Sequence, residues 1–372
     1  LTYQWQYDDG GTFVNVSNGT PSGATYSGAT SAALTVNTTN TTPAGNYDYR
    51  VLVNAGGLDC DQAISPTVTM NVFNDPTISA QPAGSEICEG ETETLNVTAS
   101  GDIPSSPLLF QWEFRSPPGS GLWADAPGMS NNSSYTTPAL TADTEYRVVV
   151  TQVESGCETI SDEVTVQVNP IPAITSDATD LVCNGDDLNY SITSDVSGTT
   201  FTWTAAVLTA PAGGSLGGFS GGSGATINQT LTNTGDEDGV IRYTITPTGP
   251  APTNCVGADF TLDVTVEPTP EVNATNNAAV ICDGDDTDID LDNNGVGGSV
   301  PTTYTWTAAV TTAPAGGSIT GFSASSGNTI NQTLSNSGTE QGVVTYTITP
   351  SIGACDGSAI TVDVTVNPSA QV

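Results

Sequence analysis

The sequence predicts an all-β chain made of tandem β-sandwich domains, and three observations carry that prediction. An aromatic-x-Trp strand occurs four times, as Tyr3-Gln4-Trp5, Phe110-Gln111-Trp112, Phe201-Thr202-Trp203 and Tyr304-Thr305-Trp306. The tryptophans stand 107, 91 and 103 residues apart, about the length of one immunoglobulin-like sandwich with its core Trp strand. Apolar and polar residues alternate in the intervening runs. Thr94-Leu95-Asn96-Val97-Thr98, Tyr146-Arg147-Val148-Val149-Val150 and Val362-Asp363-Val364-Thr365-Val366 each put one face inward at period two.

Gly, Asn and Pro clusters separate these runs, and no window sustains a helical period, so helix content is expected near zero. Short Pro-bearing joints follow β-rich runs at Val72-Phe73-Asn74-Asp75-Pro76, Val168-Asn169-Pro170-Ile171-Pro172, Val266-Glu267-Pro268-Thr269-Pro270 and Val366-Asn367-Pro368. They divide the chain into residues 1–74, 75–169, 170–268 and 269–372, referred to below as the first to fourth repeats. The first is expected to be truncated, because Leu1-Thr2-Tyr3-Gln4-Trp5 opens inside a domain and the chain then reads as a fragment. Proline fixes its own φ and holds the preceding residue extended, so the joints are stiff and the expected shape is an elongated rod.

The first two repeats share the Gln-Trp strand and a second-hairpin run, Phe13-Val14-Asn15-Val16 beside Leu122-Trp123-Ala124-Asp125. The last two are near copies. Trp203-Thr204-Ala205-Ala206-Val207 recurs as Trp306-Thr307-Ala308-Ala309-Val310, and Thr226-Ile227-Asn228-Gln229-Thr230-Leu231 as Thr329-Ile330-Asn331-Gln332-Thr333-Leu334, both at an offset of 103 residues. That constant offset marks a tandem duplication.

Forty acidic residues face four arginines (Arg50, Arg115, Arg147, Arg242), with no lysine and no histidine. By repeat the net charges are −4, −12, −10 and −10, so the acidity belongs to the whole chain. A uniformly anionic surface repels phosphate backbones and anionic lipid, which excludes nucleic acid and membrane-surface docking. Without histidine there is no Ser-His-Asp or Cys-His catalysis and no His-ligated zinc. Without lysine there is no Schiff base and no Lys–Asn isopeptide cross-link. No apolar run reaches the roughly 18 residues that a membrane-spanning helix needs. The charge favours an extended, soluble chain in a saline or calcium-rich exterior.

The third and fourth repeats resemble the PKD-like repeats of very large surface proteins of Bacteroidota, and the first two resemble the Ig-like repeats that accompany them. The resemblance rests on the Tyr-Thr-Trp-Thr strand, the Gly-x-Thr-Ile-Asn-Gln-Thr-Leu run and the Ile-Cys-x-Gly opening, and it spans nearly the whole chain. It implies a location and a class of role: stalks of gliding-motility adhesins, cell-surface filaments or enzymes secreted by the type IX system.

The seven cysteines fall into two sets. Cys88, Cys183 and Cys282 each open a repeat as Cys-x-Gly followed by an acid, and Cys60, Cys157, Cys255 and Cys355 sit in late hairpins. Pairing inside each repeat gives Cys88–Cys157, Cys183–Cys255 and Cys282–Cys355, at separations of 69, 72 and 73 residues. Cys60 is then left to pair with a residue about ten positions ahead of Leu1. Disulfides imply an extracellular, cell-surface location. In an ordinary sandwich, however, the two cysteines of a repeat lie at opposite poles, beyond the roughly 7 Å that a disulfide spans. Bonds between neighbouring repeats are therefore the alternative to pairing within each one.

Asp283, Asp285, Asp286, Asp288, Asp290 and Asp292 form the densest acidic run. Carboxylates so close together suit Ca²⁺, and Asp283, Asp285, Asp286 and Asp356 are the candidate ligands. The calcium-loop pattern fails at Ser299, where a bidentate Glu is required, and alternation puts Asp288, Asp290 and Asp292 on the wet face of a strand. No other cofactor is expected. Acids also flank the hairpin cysteines (Asp59, Asp61, Glu154, Glu158, Asp356) and could converge on each disulfide. Trp5, Trp112, Trp203 and Trp306 are read as core, Trp123 as packed on a strand edge, and Arg147 and Arg242 as paired with local acids.

The function expected from these observations is a non-catalytic stalk segment of a giant extracellular adhesin or surface filament. Other parts of the polypeptide would meet the surface, cell or glycan ligand, and several copies would be free to assemble into a fibre. Two alternatives come from other classes: accessory repeats of a secreted hydrolase, and modules that grip glycans directly.

Overall fold

A computed structural model describes residues 1–56, 62–297 and 301–370. All of the regular structure among the described residues is β. By internal contacts the chain divides into two compact units, Leu1–Asn169 and Pro170–Val372.

One sheet plan recurs in both units. In the second repeat the Trp strand Leu108–Arg115 pairs antiparallel with a long central strand, Thr144–Gln152, with Trp112 opposite Val148. The central strand pairs on its other side with a closing strand, Val164–Asn169, and that strand takes an opening strand, Ser85–Cys88, in parallel. The third repeat repeats this with Thr200–Thr209, Gly239–Thr248, Phe260–Glu267 and Thr179–Cys183. The fourth does so with Thr303–Thr312, Gly342–Ile352, Ile360–Asn367 and Val280–Cys282. The parallel register seats each opening cysteine beside the last residue of the closing strand: Cys88 by Asn169, Cys183 by Glu267 and Cys282 by Asn367. In the first repeat, Thr2–Asp8, Gly45–Asn54 and Val68–Val72 supply the Trp, central and closing strands.

Period-two patterning builds these strands. Side chains of Thr144–Gln152 and Gly239–Thr248 alternate strictly between buried and half-buried, so each central strand lays one row against the facing sheet. Facing pairs such as Asp187–Ser191 with Thr226–Thr230 add Leu188, Tyr190 and Ile227 from the other side. Three core clusters result among the described residues. They centre on Trp112, Tyr135 and Tyr146, on Trp203 and Tyr243, and on Trp306 and Tyr346. Each such large side chain contributes on the order of 2 kcal/mol by leaving water.

The tryptophans are anchored in two ways. Trp112 is wholly buried, stacks on Tyr135 at 5.8 Å and donates its indole N–H to the Asn132 carbonyl at 2.8 Å. Trp5, at the matching place, donates to the Ser31 carbonyl at 3.0 Å but is only half-buried. Trp203 lies against Gly222, where an added Cβ would come within 2.7 Å of the indole ring.

Candidate functional site

The Cys-x-Gly opening is a built turn. Asp186 N–H donates to the Cys183 carbonyl at 3.0 Å, Asn184 N–H to the Glu267 carbonyl at 3.1 Å, and Gly185 N–H to the Leu231 carbonyl at 2.8 Å. Gly185 has φ of 87°, a left-handed conformation that side-chain-bearing residues resist, which explains the glycine. The fourth repeat keeps the bond from Gly284 to Leu334 at 2.8 Å, and the second keeps that from Gly90 to Leu140 at 2.7 Å. Each opening segment thus ties the end of the closing strand to the loop that leads into the central strand.

Within the second unit this segment carries a covalent bond across repeats. Cys183 is disulfide-bonded to Cys355, with Cα atoms 5.6 Å apart and a sequence separation of 172. The expected Cys183–Cys255 and Cys282–Cys355 bonds therefore do not form. Cys157 and Cys282 are free thiols, so Cys88–Cys157 does not form either, although Cys88 and Cys255 are themselves oxidised. The reason is length. In the fourth repeat Cys282 sits by Asn367, at the end of the central strand that holds Gly342, while Cys355 pairs with Ile352 at its other end. Eleven residues of strand separate these ends by about 33 Å, far beyond disulfide reach. Within the second unit, the hairpin of the fourth repeat meets the opening cysteine of the third instead. Equal spacings within repeats made the intradomain pairing look regular, and the opposition of poles was the sequence signal against it.

Around the staple, Asn184 Nδ2 donates to Thr269 Oγ1 at 2.7 Å and Gly297 N–H donates to the Asp236 carbonyl at 2.8 Å. Glu267 is only 1% exposed, and its Oε2 lies 2.8 Å from Cys355 Sγ. Burial, reinforced by the charge of Asp238, pushes the Glu267 carboxyl above the usual carboxylate range. A disulfide sulfur has no proton to give, so this contact suits a protonated Glu267 whose O–H donates. Gly353 closes the hairpin over it, and an added Cβ there would meet Glu267 Oε1 at 3.3 Å. Sequence reasoning missed Glu267 because the fourth repeat has Asn367 in its place. Cys183, Glu267 and Cys355 are the only set of three or more potential metal-ligating side chains gathered closely among the described residues.

The predicted calcium carboxylates are not brought together there. Asp283 accepts from Asn336 N–H at 2.8 Å and Ser369 Oγ at 2.6 Å, and these bonds hold it below the usual carboxylate range. Asp285 accepts from Cys282 N–H at 3.0 Å, Asp286 from Thr333 Oγ1 at 2.5 Å and Asp356 from Ser351 Oγ at 2.6 Å. Each one secures its own turn or hairpin. Asp290 and Asp292 take side-chain amides of Asn277 and Asn273. Cys60, Asp59, Asp61 and Ser299 lie outside the described residues.

Arg147 pairs with Glu113 at 2.7 Å, and Arg242 makes two contacts of 2.7 Å with Asp263. Trp123 is half-buried, with Arg115 and Arg147 over its ring at 4.5 and 4.3 Å, so cations occupy the surface a sugar would stack on. Arg115 also bonds Glu145 at 2.6 Å and holds that carboxyl low.

Residues 180–270 and 279–370 each match the PKD-like domain, and residues 77–170 match a domain of unknown function. No curated protein matches the chain. Among solved structures, the I67–I69 fragment of titin is similar at 12% identity, covering 80% of this chain and all (100%) of that one, with a TM-score of 0.39. Sidekick-1 immunoglobulin domains 1–5 align at 12% identity over 98% of this chain and 74% of that one, with a TM-score of 0.34. The Escherichia coli adhesin FdeC aligns at 15% identity over 80% of this chain and 96% of that one, with a TM-score of 0.35. The second unit thus holds two PKD-like matches in tandem, and the regular structure of the described residues is β throughout. Among the described residues no helix is long and apolar enough to cross a membrane.

Proposed function

We propose that this chain is a non-catalytic stalk segment of a large extracellular adhesin or surface filament, made of four repeats that hold a binding region away from the cell. The observation that carries the reading is the Cys183–Cys355 staple. A disulfide within one sandwich would stiffen that sandwich alone, whereas a bond from one repeat to the next adds a covalent tie at the joint. Load along the chain then passes through the staple as well as through the Val266–Pro270 linker. Such a bond persists in oxidising surroundings, which supports an exterior location. The acidic surface, net −36, resists collapse and non-specific association.

Immunogold electron microscopy of intact cells, with antibody to this chain, tests the proposal. Label running along surface fibres is expected. Label confined to compact secreted particles would contradict it.

A further inference from the structure

The two ends of the Cys183–Cys355 bond sit in unlike surroundings. Cys183 ends the edge strand Thr179–Cys183 and is half-buried, whereas Cys355 is 2% exposed in its hairpin. The Cys183 end therefore offers the surface that a reagent in solution can reach. A thiolate that attacks one sulfur of a disulfide expels the other as a thiolate. Attack at Cys183 would thus leave the negative charge on Cys355, in a buried place among acids, where that charge is costly.

Glu267 is placed to remove this charge. Both sulfurs and a Glu267 carboxyl oxygen lie within 4.8 Å of one another, but the hydrogen-bonding contact, 2.8 Å, joins Glu267 Oε2 to Cys355 Sγ. The carboxyl has no competing use, since Glu267 Oε1 has no hydrogen-bond partner among the described residues. Its strand end is fixed by Asn233, whose Nδ2 donates to the Val266 and Glu237 carbonyls at 2.8 Å each. Burial and the charge of Asp238, on the same loop as Glu237, favour the protonated carboxyl. Asp356, next to Cys355, is engaged by Ser351 Oγ, and Asp236 presents its backbone carbonyl to Gly297. The second and fourth repeats carry Asn169 and Asn367 beside their opening cysteines, where the third carries Glu267.

We infer that Cys183 is a site of thiol exchange, at which a small external thiol opens the staple with Glu267 as proton donor. The entering thiolate attacks Cys183 Sγ and forms a mixed disulfide there. The bond to Cys355 Sγ breaks, its electron pair stays on Cys355, and Glu267 Oε2 supplies the proton. Cys355 is left as a buried thiol and Glu267 as a carboxylate. A second external thiol then attacks the outer sulfur of the mixed disulfide, which frees Cys183 and releases the oxidised small disulfide. The staple gains two electrons and two protons, both drawn in the end from the two thiols. This inference stands or falls apart from the stalk reading.

The test uses the whole chain. It is incubated with 2-mercaptoethanol, quenched with acid at intervals, alkylated with N-ethylmaleimide and digested without reductant for mass spectrometry. The early product is expected to carry mercaptoethanol on Cys183 and maleimide on Cys355. Glu267→Gln should open the staple about tenfold or more slowly, short of the full effect of a general acid because the amide keeps an N–H. Cys88 and Cys255, which are also oxidised, should react at an unchanged rate in that variant. In the wild-type chain the opening rate per external thiolate should fall as pH rises and Glu267 ionises, and in the variant it should stay level. Mercaptoethanol found first on Cys355, equal opening rates in the two chains, or a staple that stays closed while Cys88 and Cys255 react would overturn the inference.

Discussion

At the residue scale, two buried side chains decide opposite things. Trp112 is fully enclosed and hydrogen-bonded, so Trp112→Ala removes a large apolar volume and strands the Asn132 carbonyl. A loss of about 3–5 kcal/mol is expected, seen as a lower denaturant midpoint for the first unit. Glu267 works against stability at neutral pH. Its folded pKa is raised above the unfolded value, so its contribution is complete below the unfolded pKa and is lost as pH rises through the folded one. Glu267→Gln should therefore raise the melting temperature at pH 7 to 8, with the gain shrinking toward pH 4. A variant equally stabilised at both pH values would contradict a titrating Glu267. The tryptophans were readable from sequence because their spacing and strand context specify a core position. Glu267 was not, since only the folded joint shows that the hairpin of another repeat covers it. Trp5 shows the limit of analogy: its strand has the same pattern as Trp112, yet it is half-buried.

At the scale of elements, period-two alternation made the central and closing strands legible, and the conformational needs of glycine made the Cys-x-Gly turn legible. The partner of each cysteine was not legible, because pairing depends on which poles meet and not on spacing along the chain. The staple closes a separation of 172 residues, and the chain-entropy estimate for a loop that long is about 5 kcal/mol. Replacing Cys183 and Cys355 together by serine should lower the stability of the second unit by up to that amount. Hydrogen exchange should show where the loss falls. The amides of Gly185 and Gly297, which bond across and beside the joint, should lose protection before those of Tyr243 and Tyr346 in the core strands. Simultaneous loss at all four would mean that the staple supports the sandwiches and not the joint.

For the whole molecule, composition narrows the class of function that is expected. A chain with 40 acids, four arginines and neither lysine nor histidine has few means of catalysis and much electrostatic cause to stay extended. Folding adds the covalent path between repeats, which composition could not show. Pulling single molecules from their two ends measures that path directly. Under oxidising conditions the staple should shield the residues between Cys183 and Cys355 from extension, even after every sandwich has unfolded. Reduction should then release about 600 Å of further contour length, the extended span of the 172-residue separation. Release of the full contour length without reductant would show that load does not pass through the staple, and would contradict the account of the chain as a covalently reinforced stalk.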